Sequence, residues 1–421
     1  MLGGMETVDL ARLQFALTAG AHFLFVTLTL GLATLVAVVQ TRATFSRNPV
    51  HLRMTRFWGQ LYVINYAMGI VTGLVMEFQL GLSWSGLTEY AGDVFGASLA
   101  IETLVAFFLE STFLGLWIFG WDRLNRWAHL ALIWVVTLTA YASAFWILVA
   151  NGFLQNPVGF TESGGALHLA DLGALVANPP ARVAFWHVLG AALVTGGFFM
   201  AGVSAFHLRR RTPEQDLFRK SLRVGVGVAL PALLFTAASG GMGFETMQLP
   251  KIAAWAGDAD RLAEAQAQLA AVHGPGDHLP PVEVVRGAGL AMILLFVLML
   301  AVAAASFLLM VIRPAVREFR LWHWCLTLMI PVPFAAVLAG WIFREMGRQP
   351  WAVYGRLTTA EAMSPVTSGQ MALSLTAFTG VFAVLIAVNY WLLARAARRG
   401  PEGPALGADR PADVPVPVPA F

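Results

Sequence analysis

Nine long apolar stretches recur along this chain, and they constrain its fold more than any other feature. Each is long enough to cross the hydrocarbon core of a bilayer, which takes about 20 residues of helix. A lipid-exposed backbone must satisfy its hydrogen bonds within its own segment, and the stretches are too long for barrel strands. We therefore predict an all-α polytopic membrane protein with spans near residues 13–40, 57–80, 96–120, 128–150, 184–208, 221–243, 287–312, 321–343 and 374–395.

The composition excludes a soluble protein. Apolar residues make up 58% of the 421 residues and charged residues only 12%, whereas soluble domains carry about 25% charged residues. One cysteine, Cys325, excludes both a disulfide framework and a multi-cysteine metal site. The first apolar stretch follows an acidic start and exceeds a signal peptide's short hydrophobic region, so it predicts an uncleaved helix. These features imply that the chain lies in a lipid bilayer and that nucleic acid is not a partner.

Positive charges predict the orientation. Of the 27 Lys and Arg residues, 19 fall in the connections after helices one, three, five and seven, or at the C-terminal end. The positive-inside rule then places the N-terminus outside and the C-terminus in the cytoplasm. We predict one transmembrane domain over residues 1–399 and a disordered, proline-rich cytoplasmic tail over 400–421. Two outer connections are long: 151–183, with Asn-Pro turns, and 244–286, where Asp260 to Ala271 predicts a surface helix.

Two histidines lie within predicted spans, where ionisable groups usually serve a function. His22 follows Gly20 and Ala21, whose small size would let a flat macrocycle approach the backbone. His187 lies among aromatic residues at a matching depth in the outer third of the membrane. Both are candidate haem ligands; a hydrogen-bonded core histidine is the alternative for each. Seven others are predicted to be interfacial or solvated, namely His51, His129, His168, His207, His273, His278 and His323.

The third span carries two carboxylates, Glu102 and Glu110. Eight helical residues give about 12 Å of rise and about 80° of rotation, so the two lie on roughly one side of the helix. A proton relay is the functional interpretation, and hydrogen bonds that brace helix packing are the alternative. Ser111, Thr112 and Asp122 are the neighbouring polar residues that would help such a relay. Glu77, near the outer end of the second span, is a further candidate, and an interfacial charge is its alternative.

The end of the eighth span carries a charged cluster, Arg344, Glu345 and Arg348, beside Pro350. A carboxylate there could bind a metal, while the arginines neutralise propionates or a quinone head group. The alternative is an ordinary helix end within an interfacial tryptophan belt.

Longer motifs occur in a fixed order and identify a family. They are Arg12-Leu-Gln-Phe-Ala-Leu-Thr-Ala, His22-Phe-Leu-Phe, Met76-Glu-Phe-Gln79, Gly92-Asp-Val-Phe-Gly-Ala, Leu99-Ala-Ile-Glu102, Ala106-Phe-Phe-Leu-Glu-Ser-Thr-Phe113, Phe119-Gly-Trp-Asp-Arg123, Trp146-Ile-Leu-Val-Ala-Asn-Gly152, Gln155-Asn-Pro157 and Gly347-Arg-Gln-Pro-Trp351. These segments resemble subunit I of the cytochrome bd family, the bacterial quinol:oxygen oxidoreductases. The resemblance covers spans one to five and eight.

The resemblance implies three haems near the outer face. In the family pattern His187 ligates a low-spin haem b that receives quinol electrons. His22 and Glu345 match the axial ligands of a high-spin haem b and a haem d, or a haem b that substitutes for haem d, in an order the sequence leaves open. Glu102 matches a carboxylate beside the oxygen-reducing haem.

The resemblance also implies routes for protons and quinol. Glu110 and Glu102 match the family's proton path from the cytoplasm, Lys251 matches a lysine that contacts quinol, and Arg12 and Arg348 match cofactor contacts. A second large membrane subunit is implied and a small single-helix subunit is allowed. The location implied is the bacterial cytoplasmic membrane.

The electron-entry region departs from the family pattern. Arg286 matches, but the methionine that should follow two residues later is Ala288, and Met292 lies about 9 Å of helix rise too far. The glutamate expected five residues after Lys251 is Ala256. The oxygen-side residues, by contrast, are intact.

The sequence therefore predicts a bd-type terminal oxidase subunit that oxidises quinol at the outer face and reduces oxygen to water with cytoplasmic protons. Two alternatives stay open. One is a bd-like oxygen reductase with a changed electron donor or lost quinol oxidation. The other is a non-catalytic haem membrane protein, against which the intact carboxylates argue.

Overall fold

The structure, a computed structural model, describes residues 6–402 and residue 406. Within these residues, nine helical stretches are long and apolar enough to cross a membrane, and each overlaps one predicted span, which confirms the predicted fold class. In chain order the helices are α1 (Thr7–Ser46), α2 (Pro49–Ser83), α3 (Ser85–Ile101), α4 (Phe108–Phe119), α5 (Arg126–Gln155), α6 (Leu172–Val176), α7 (Pro179–Arg210), α8 (Gln215–Phe244), α9 (Leu249–Ala256), α10 (Ala259–His273), α11 (Val282–Leu309), α12 (Arg313–Glu318), α13 (Arg320–Leu328), α14 (Val332–Met346), α15 (Thr359–Ala362) and α16 (Ser368–Arg399).

Three spans are composite. The third joins α3 to α4 through a π-helical segment, Glu102–Phe107. The fifth combines α6 and α7, and the eighth combines α13 and α14. Prolines lie in the first turn of α7 and of α14, where a missing N–H costs nothing. The predicted tail, 400–421, lies outside the described residues except for a 3₁₀ turn at Gly400–Glu402 and for Leu406.

The two long connections that are predicted to lie outside carry small folded units. The first contains an antiparallel hairpin of β1 (Phe160–Ser163) and β2 (Ala166–Leu169). The second contains α9, which the sequence did not predict, and α10, which confirms the predicted surface helix. Strands β3 (Trp351–Val353) and β4 (Leu357–Thr358) follow the charged end of α14.

Glycines allow the central helices to approach closely. The α1–α7 crossing is made at Gly31 and Gly196, where an added Cβ would collide with the facing backbone. In the α7–α8 crossing, a Cβ on Gly225 would lie only 2.6 Å from the Gly197 carbonyl oxygen. Small residues at such crossings let dispersion forces hold helices together in lipid, where the hydrophobic effect is absent. The site helices are thereby fixed relative to one another.

Four of the seven histidines predicted to be interfacial or solvated are buried, so these four are not solvated, while their place near the membrane interface stays a prediction. His129, for example, hydrogen-bonds Gln40 and the Trp117 carbonyl at 2.9 Å each. Buried polar rings persist because such partners replace water. The four are His51, His129, His207 and His323, whereas His168, His273 and His278 retain exposure.

Candidate functional site

His22 on α1 is held by α2. Its Nδ1 lies 2.9 Å from the hydroxyl oxygen of Thr72. That hydroxyl donates its own proton to the Met68 carbonyl at 2.8 Å, so it accepts from the imidazole. The Nδ1 atom therefore carries the proton, and the Nε2 lone pair stays available for a metal.

The glycine that lies against the His22 ring is not the predicted one. Gly20 packs against Leu338 of α14, whose Cδ1 would lie 3.0 Å from an added Cβ, so its small size serves helix packing. Gly73 of α2 instead faces the ring, and a Cβ there would lie 3.2 Å from His22 Cε1. The access predicted for Gly20 was wrong because the neighbouring helix, and not a free surface, faces that position.

His187 on α7 repeats this arrangement against α8. Its Nδ1 lies 3.0 Å from the Thr236 carbonyl oxygen, which can only accept, so Nδ1 carries the proton and Nε2 is free. A Cβ on Gly240 would lie 3.0 Å from His187 Cε1. Both predicted histidines thus have the tautomer that metal ligands need and a glycine against the ring.

Glu345, at the end of α14, is the centre of a buried polar cluster. Its Oε1 accepts from Asn151 Nδ2 at 2.9 Å and its Oε2 accepts from Arg348 Nη2 at 2.6 Å. The Asn151 oxygen accepts in turn from Arg344 Nε at 2.8 Å. The carboxylate is therefore oriented from both sides, and each oxygen keeps a further lone pair for another ligand.

Arg348 connects this cluster to the β3 strand. Its Nη1 donates to the carbonyls of Trp351 and Ala352, and the side chain is almost fully buried. Arg12, the other predicted cofactor contact, is not part of the cluster; it lies half-exposed and 3.6 Å from Asp9. The structure brings Glu345 and Arg348 together, as their spacing predicts.

Lys251, the predicted quinol contact on α9, points inward. Its Nζ donates to the Arg344 carbonyl at 3.1 Å, and its alkyl chain packs directly on Gly347. The residue is 3% exposed. Burial, and secondarily the charge of Arg344, lower the pKa of Lys251 to about 7. In this conformation Lys251 fastens α9 to the charged end of α14.

Glu102 opens the π-helical segment and is hydrogen-bonded on both oxygens. Ser143 of α5 donates to Oε1, and Thr103 lies 3.1 Å from Oε2. The same Thr103 hydroxyl lies 3.1 Å from Glu77 of α2, so one hydroxyl stands between two carboxylates. Glu77 therefore connects to Glu102, as the sequence allowed.

Glu110 is 5% exposed, and its Oε1 finds no hydrogen-bond partner among the described residues. The π-helical segment lies between it and Glu102. Such a segment accommodates one extra residue, which reduces the angle between the two side chains from about 80° to about 20°. The two carboxylates thus share one helix face more closely than regular helix geometry predicts.

The region of the missing methionine is apolar. Ala288 packs against a cluster formed by Ala254, Val285 and Phe343. Two methionines that the sequence did not single out, Met247 and Met346, pack against the same cluster. Thioether groups therefore contact the same cluster as Ala288, although its own side chain has none.

The other residues of the electron-entry region pack in two places. Met292 Sδ is 3.0 Å from the position of a Cβ on Gly340, so it packs onto α14. The guanidinium of Arg286 lies against Gly257, which ends α9 in a left-handed conformation. Ala256 is exposed beside it.

The residues that sequence reasoning missed are those that orient the predicted ones. Thr72, Gly73, the Thr236 carbonyl, Gly240, Asn151 and Ser143 all lie on helices other than those they serve. Only Asn151 had a signal, because it lies in one of the ordered motifs. The rest depend on which helices pack together.

Comparison with known proteins assigns the family. The sequence profile of "Cytochrome bd terminal oxidase subunit I" matches residues 10–275 and 262–401. This chain belongs to that family. It is therefore a terminal oxidase subunit of the quinol oxidase class. Membership of the family implies haem cofactors and a second subunit.

Similar proteins cover nearly the whole chain. The cytochrome bd ubiquinol oxidase subunit 1 of Bacillus subtilis (strain 168) is 38% identical over 99% of this chain and 98% of its own length. The cytochrome bd-II ubiquinol oxidase subunit 1 of Escherichia coli (strain K12) is 31% identical over 96% and 99%. The solved bd oxidase from Geobacillus thermodenitrificans superposes with a TM-score of 0.83 at 27% identity, covering 94% of this chain and 99% of the matched chain.

The residues present suit the haem that this oxidase family carries. Two imidazoles offer a free Nε2, each next to a glycine on a neighbouring helix. A buried carboxylate, Glu345, is held by one amide and one guanidinium. Histidine and carboxylate donors of this kind are among the groups that can ligate iron.

Proposed function

We propose that this chain carries the haems of a bd-type oxidase that oxidises quinol at the outer membrane face and reduces oxygen to water with cytoplasmic protons. The matching geometry of His22 and His187 carries the proposal: each ring is fixed through Nδ1 by a neighbouring helix. In each case a glycine of that helix, Gly73 or Gly240, lies against the ring.

The haem assignment follows the family resemblance at these donors. His187 would hold a low-spin haem b, while His22 and Glu345 would hold the high-spin pair, a haem b with a haem d or a second haem b. Bound haem supplies electron transfer and oxygen reduction. Arg348 and Arg344 lie beside the Glu345 carboxylate and also offer positive charge for propionates.

Proton delivery is assigned to the carboxylates of the third span. Glu110 lies buried with an Oε1 that has no partner among the residues the structure describes, and Glu102 is connected through hydroxyls to α5 and α2. Side chains of this kind can hold a proton and hand it on along one helix face. Protons from the cytoplasm would pass Glu110 before Glu102, given the predicted orientation.

The partners and location follow the same proposal. Quinol and oxygen are the substrates, a second large subunit completes the enzyme, and a small single-helix subunit can join it. The relatives compared come from bacteria, which supports the bacterial cytoplasmic membrane as the location. Lys251 is the residue proposed to meet quinol, once α9 moves enough to expose its amine.

A second candidate is a bd-like oxygen reductase with another electron donor. Specific observations favour it: Ala288 and Ala256 replace the expected donor-side residues, and Lys251 is buried and fastened to α14. The oxygen-side residues are the same in both candidates.

Optical spectra of the purified two-subunit complex test the haem assignment. We expect His187→Ala to remove the low-spin haem b signal while the other haem signals persist, and His168→Ala, at an exposed histidine, to change nothing. A full low-spin signal in His187→Ala would overturn the assignment of that ligand.

Measurements of oxygen uptake distinguish the quinol oxidase from the oxygen reductase with another electron donor. We expect ubiquinol or menaquinol to drive uptake by the complex, and Lys251→Gln to raise the KM for quinol. Uptake with an artificial one-electron donor but with neither quinol would instead establish the altered-donor function.

A further inference from the structure

The second and third spans pack antiparallel, and contacts between side chains fix their register. Residue numbers rise along α2 as they fall along the third span, so the contacts belong to one continuous face. This register places Tyr62, one turn before Tyr66, opposite the turn of α4 that follows Glu110. The facing pairs that define it are Gly59 with Trp117, Tyr66 with Ser111, and Glu77 with Thr103.

Two buried oxygens on this face have no hydrogen-bond partner among the residues that the structure describes. They are Tyr62 Oη and Glu110 Oε1. The two side chains are 0% and 5% exposed, and Leu114, one turn after Glu110, packs in the same core cluster as Tyr62. Buried polar atoms that no protein group satisfies are normally hydrogen-bonded to ordered water. Water can therefore join the phenol to the carboxyl group.

Tyr66 reaches the same level of the membrane. Its Oη lies 3.4 Å from the hydroxyl oxygen of Ser111, the residue that directly follows Glu110. Its ring centre lies 5.8 Å from that of Tyr62. One phenol thus lies at the depth of Glu110, and the other lies one helical turn nearer to the predicted cytoplasmic side.

Buried polar groups continue beyond Tyr62 in that direction. Trp117 Nε1 donates to Gln40 Oε1 at 2.9 Å, and Gln40 Nε2 lies 2.9 Å from His129 Nδ1. Because Trp117 lies against Gly59, this network is about one turn closer to the cytoplasmic side than Tyr62. The Tyr62 hydroxyl therefore lies at a depth between the network and Glu110.

We propose that the hydroxyls of Tyr62 and Tyr66, together with ordered water, form the last segment of the path that brings protons to Glu110. The proposal rests on the proton role proposed for Glu110. A hydroxyl both donates and accepts, so each phenol takes up a proton at its oxygen as it releases its own and stays neutral. Phenylalanine at either position keeps the ring but cannot pass a proton.

Proton uptake in a single turnover tests the proposal. The purified two-subunit complex is reduced chemically, freed of reductant, mixed with oxygen and followed with a pH-indicator dye, so the result is independent of the electron donor. We expect Tyr62→Phe to slow proton uptake about tenfold or more, and Tyr66→Phe to slow it as well. Haem content and optical spectra should match the parent protein, because the rings keep their packing. Tyr141→Phe, at a tyrosine paired with Thr34 away from this face, is the control and should keep the parent rate.

Glu110→Gln, measured alongside, separates this proposal from the function on which it rests. Slow uptake in Glu110→Gln with parent rates in Tyr62→Phe and Tyr66→Phe would overturn the tyrosine path alone. A parent rate in Glu110→Gln would overturn the proton role of Glu110 and the tyrosine path with it. Equal slowing by Tyr141→Phe, or altered haem spectra in the tyrosine variants, would assign the effect to structure and would also overturn the path.

Discussion

At the scale of single residues, the candidate site depends on side chains that hold others in one state. His22 and His187 are the chemically important residues, but Thr72 and the Thr236 carbonyl decide which ring nitrogen is free. Mutation of such a partner of a metal-binding histidine typically lowers metal affinity or activity by about 10- to 100-fold. The same logic applies to Glu345 and its amide partner.

Thr72→Val removes the hydroxyl that accepts from His22 Nδ1 and keeps the side-chain shape. We expect the haem content per complex, measured from extracted haem, to fall, and oxygen uptake to fall about 10-fold or more. Thr72→Ser keeps a hydroxyl acceptor at this position and should behave like the parent protein. Normal haem content and uptake in Thr72→Val would mean that the hydroxyl does not orient the ring.

Asn151→Leu removes both the donor to Glu345 and the acceptor for Arg344. We expect the high-spin haem signals to change in position or intensity and oxygen uptake to fall by about 10- to 100-fold, because one side of the carboxylate is no longer fixed. The signal assigned to His187 should persist. Asn156→Leu, at an asparagine paired with Asn178 outside the cluster, is the control and should leave the high-spin signals unchanged.

At the scale of helices, local departures from regular geometry determine where the site residues point. The π-helical segment Glu102–Phe107 turns Glu110 onto the face of Glu102, and π-bulges are frequent at functional sites. Glycine contacts set the distances between α1, α7 and α8. Both features act through the backbone.

Gly225→Val tests the α7–α8 crossing. An added Cβ at Gly225 would lie 2.6 Å from the Gly197 carbonyl, whereas Gly227, on the same helix, has nothing within 4 Å. We expect Gly225→Val to lower the free energy of unfolding by about 1–3 kcal/mol. Gly227→Val should change it by under about 0.5 kcal/mol. Thermal melting of the complex measures both, and equal melting temperatures would contradict the packing argument.

Lys251 predicts a pH dependence for the docking of α9. The folded-state pKa is about 7 and the ordinary value is 10.5, so the unfolded chain binds more protons between these values. The stability that depends on Lys251 is therefore greatest above pH 10.5 and falls as the pH drops towards 7. Below pH 7 both states are protonated and the loss is complete.

The measurement is the melting temperature of the parent protein minus that of Lys251→Met, taken from pH 7 to pH 10. We expect this difference to rise with pH. The control is Lys220→Met, at the other lysine of the chain, which pairs with Asp216. In a protein that carries Lys220→Met, the difference caused by Lys251→Met should still rise with pH. A flat difference would show that the amine of Lys251 is not desolvated.

At the scale of the whole molecule, the family and the apolar spans define a membrane-embedded oxidase subunit that works with a second subunit. Its predicted orientation decides which face supplies protons to Glu110. The charge bias of 19 basic residues against eight is the basis for that orientation.

Reporter fusions test the orientation directly. We expect a fluorescent protein fused after the C-terminal residue to fold and fluoresce, and a phosphatase fused there to be inactive, as on the cytoplasmic side. The same phosphatase inserted after Pro275, in the outer connection, should be active. The opposite pattern at both sites would reverse the orientation and with it the proposed direction of proton uptake.

The sequence by itself determined the class of molecule. Apolar stretches long enough to span a bilayer must form helices, because a backbone in lipid has to satisfy its hydrogen bonds within its own segment. All nine predicted spans accordingly overlap helices. The ordered motifs were equally decisive for the family, since each depends only on neighbouring residues. The identities of His22, His187, Glu102, Glu110 and Glu345 as candidates came from the same local signals.

Only the tertiary structure decided how those candidates are oriented. Gly73 and not Gly20 lies beside His22, because which glycine faces a ring depends on the neighbouring helix. The burial of His129 and the inward direction of the Lys251 side chain likewise depend on contacts between residues that are distant in sequence. Hydrogen bonds and packing between helices act across the bundle, and a pattern of neighbouring residues does not specify them.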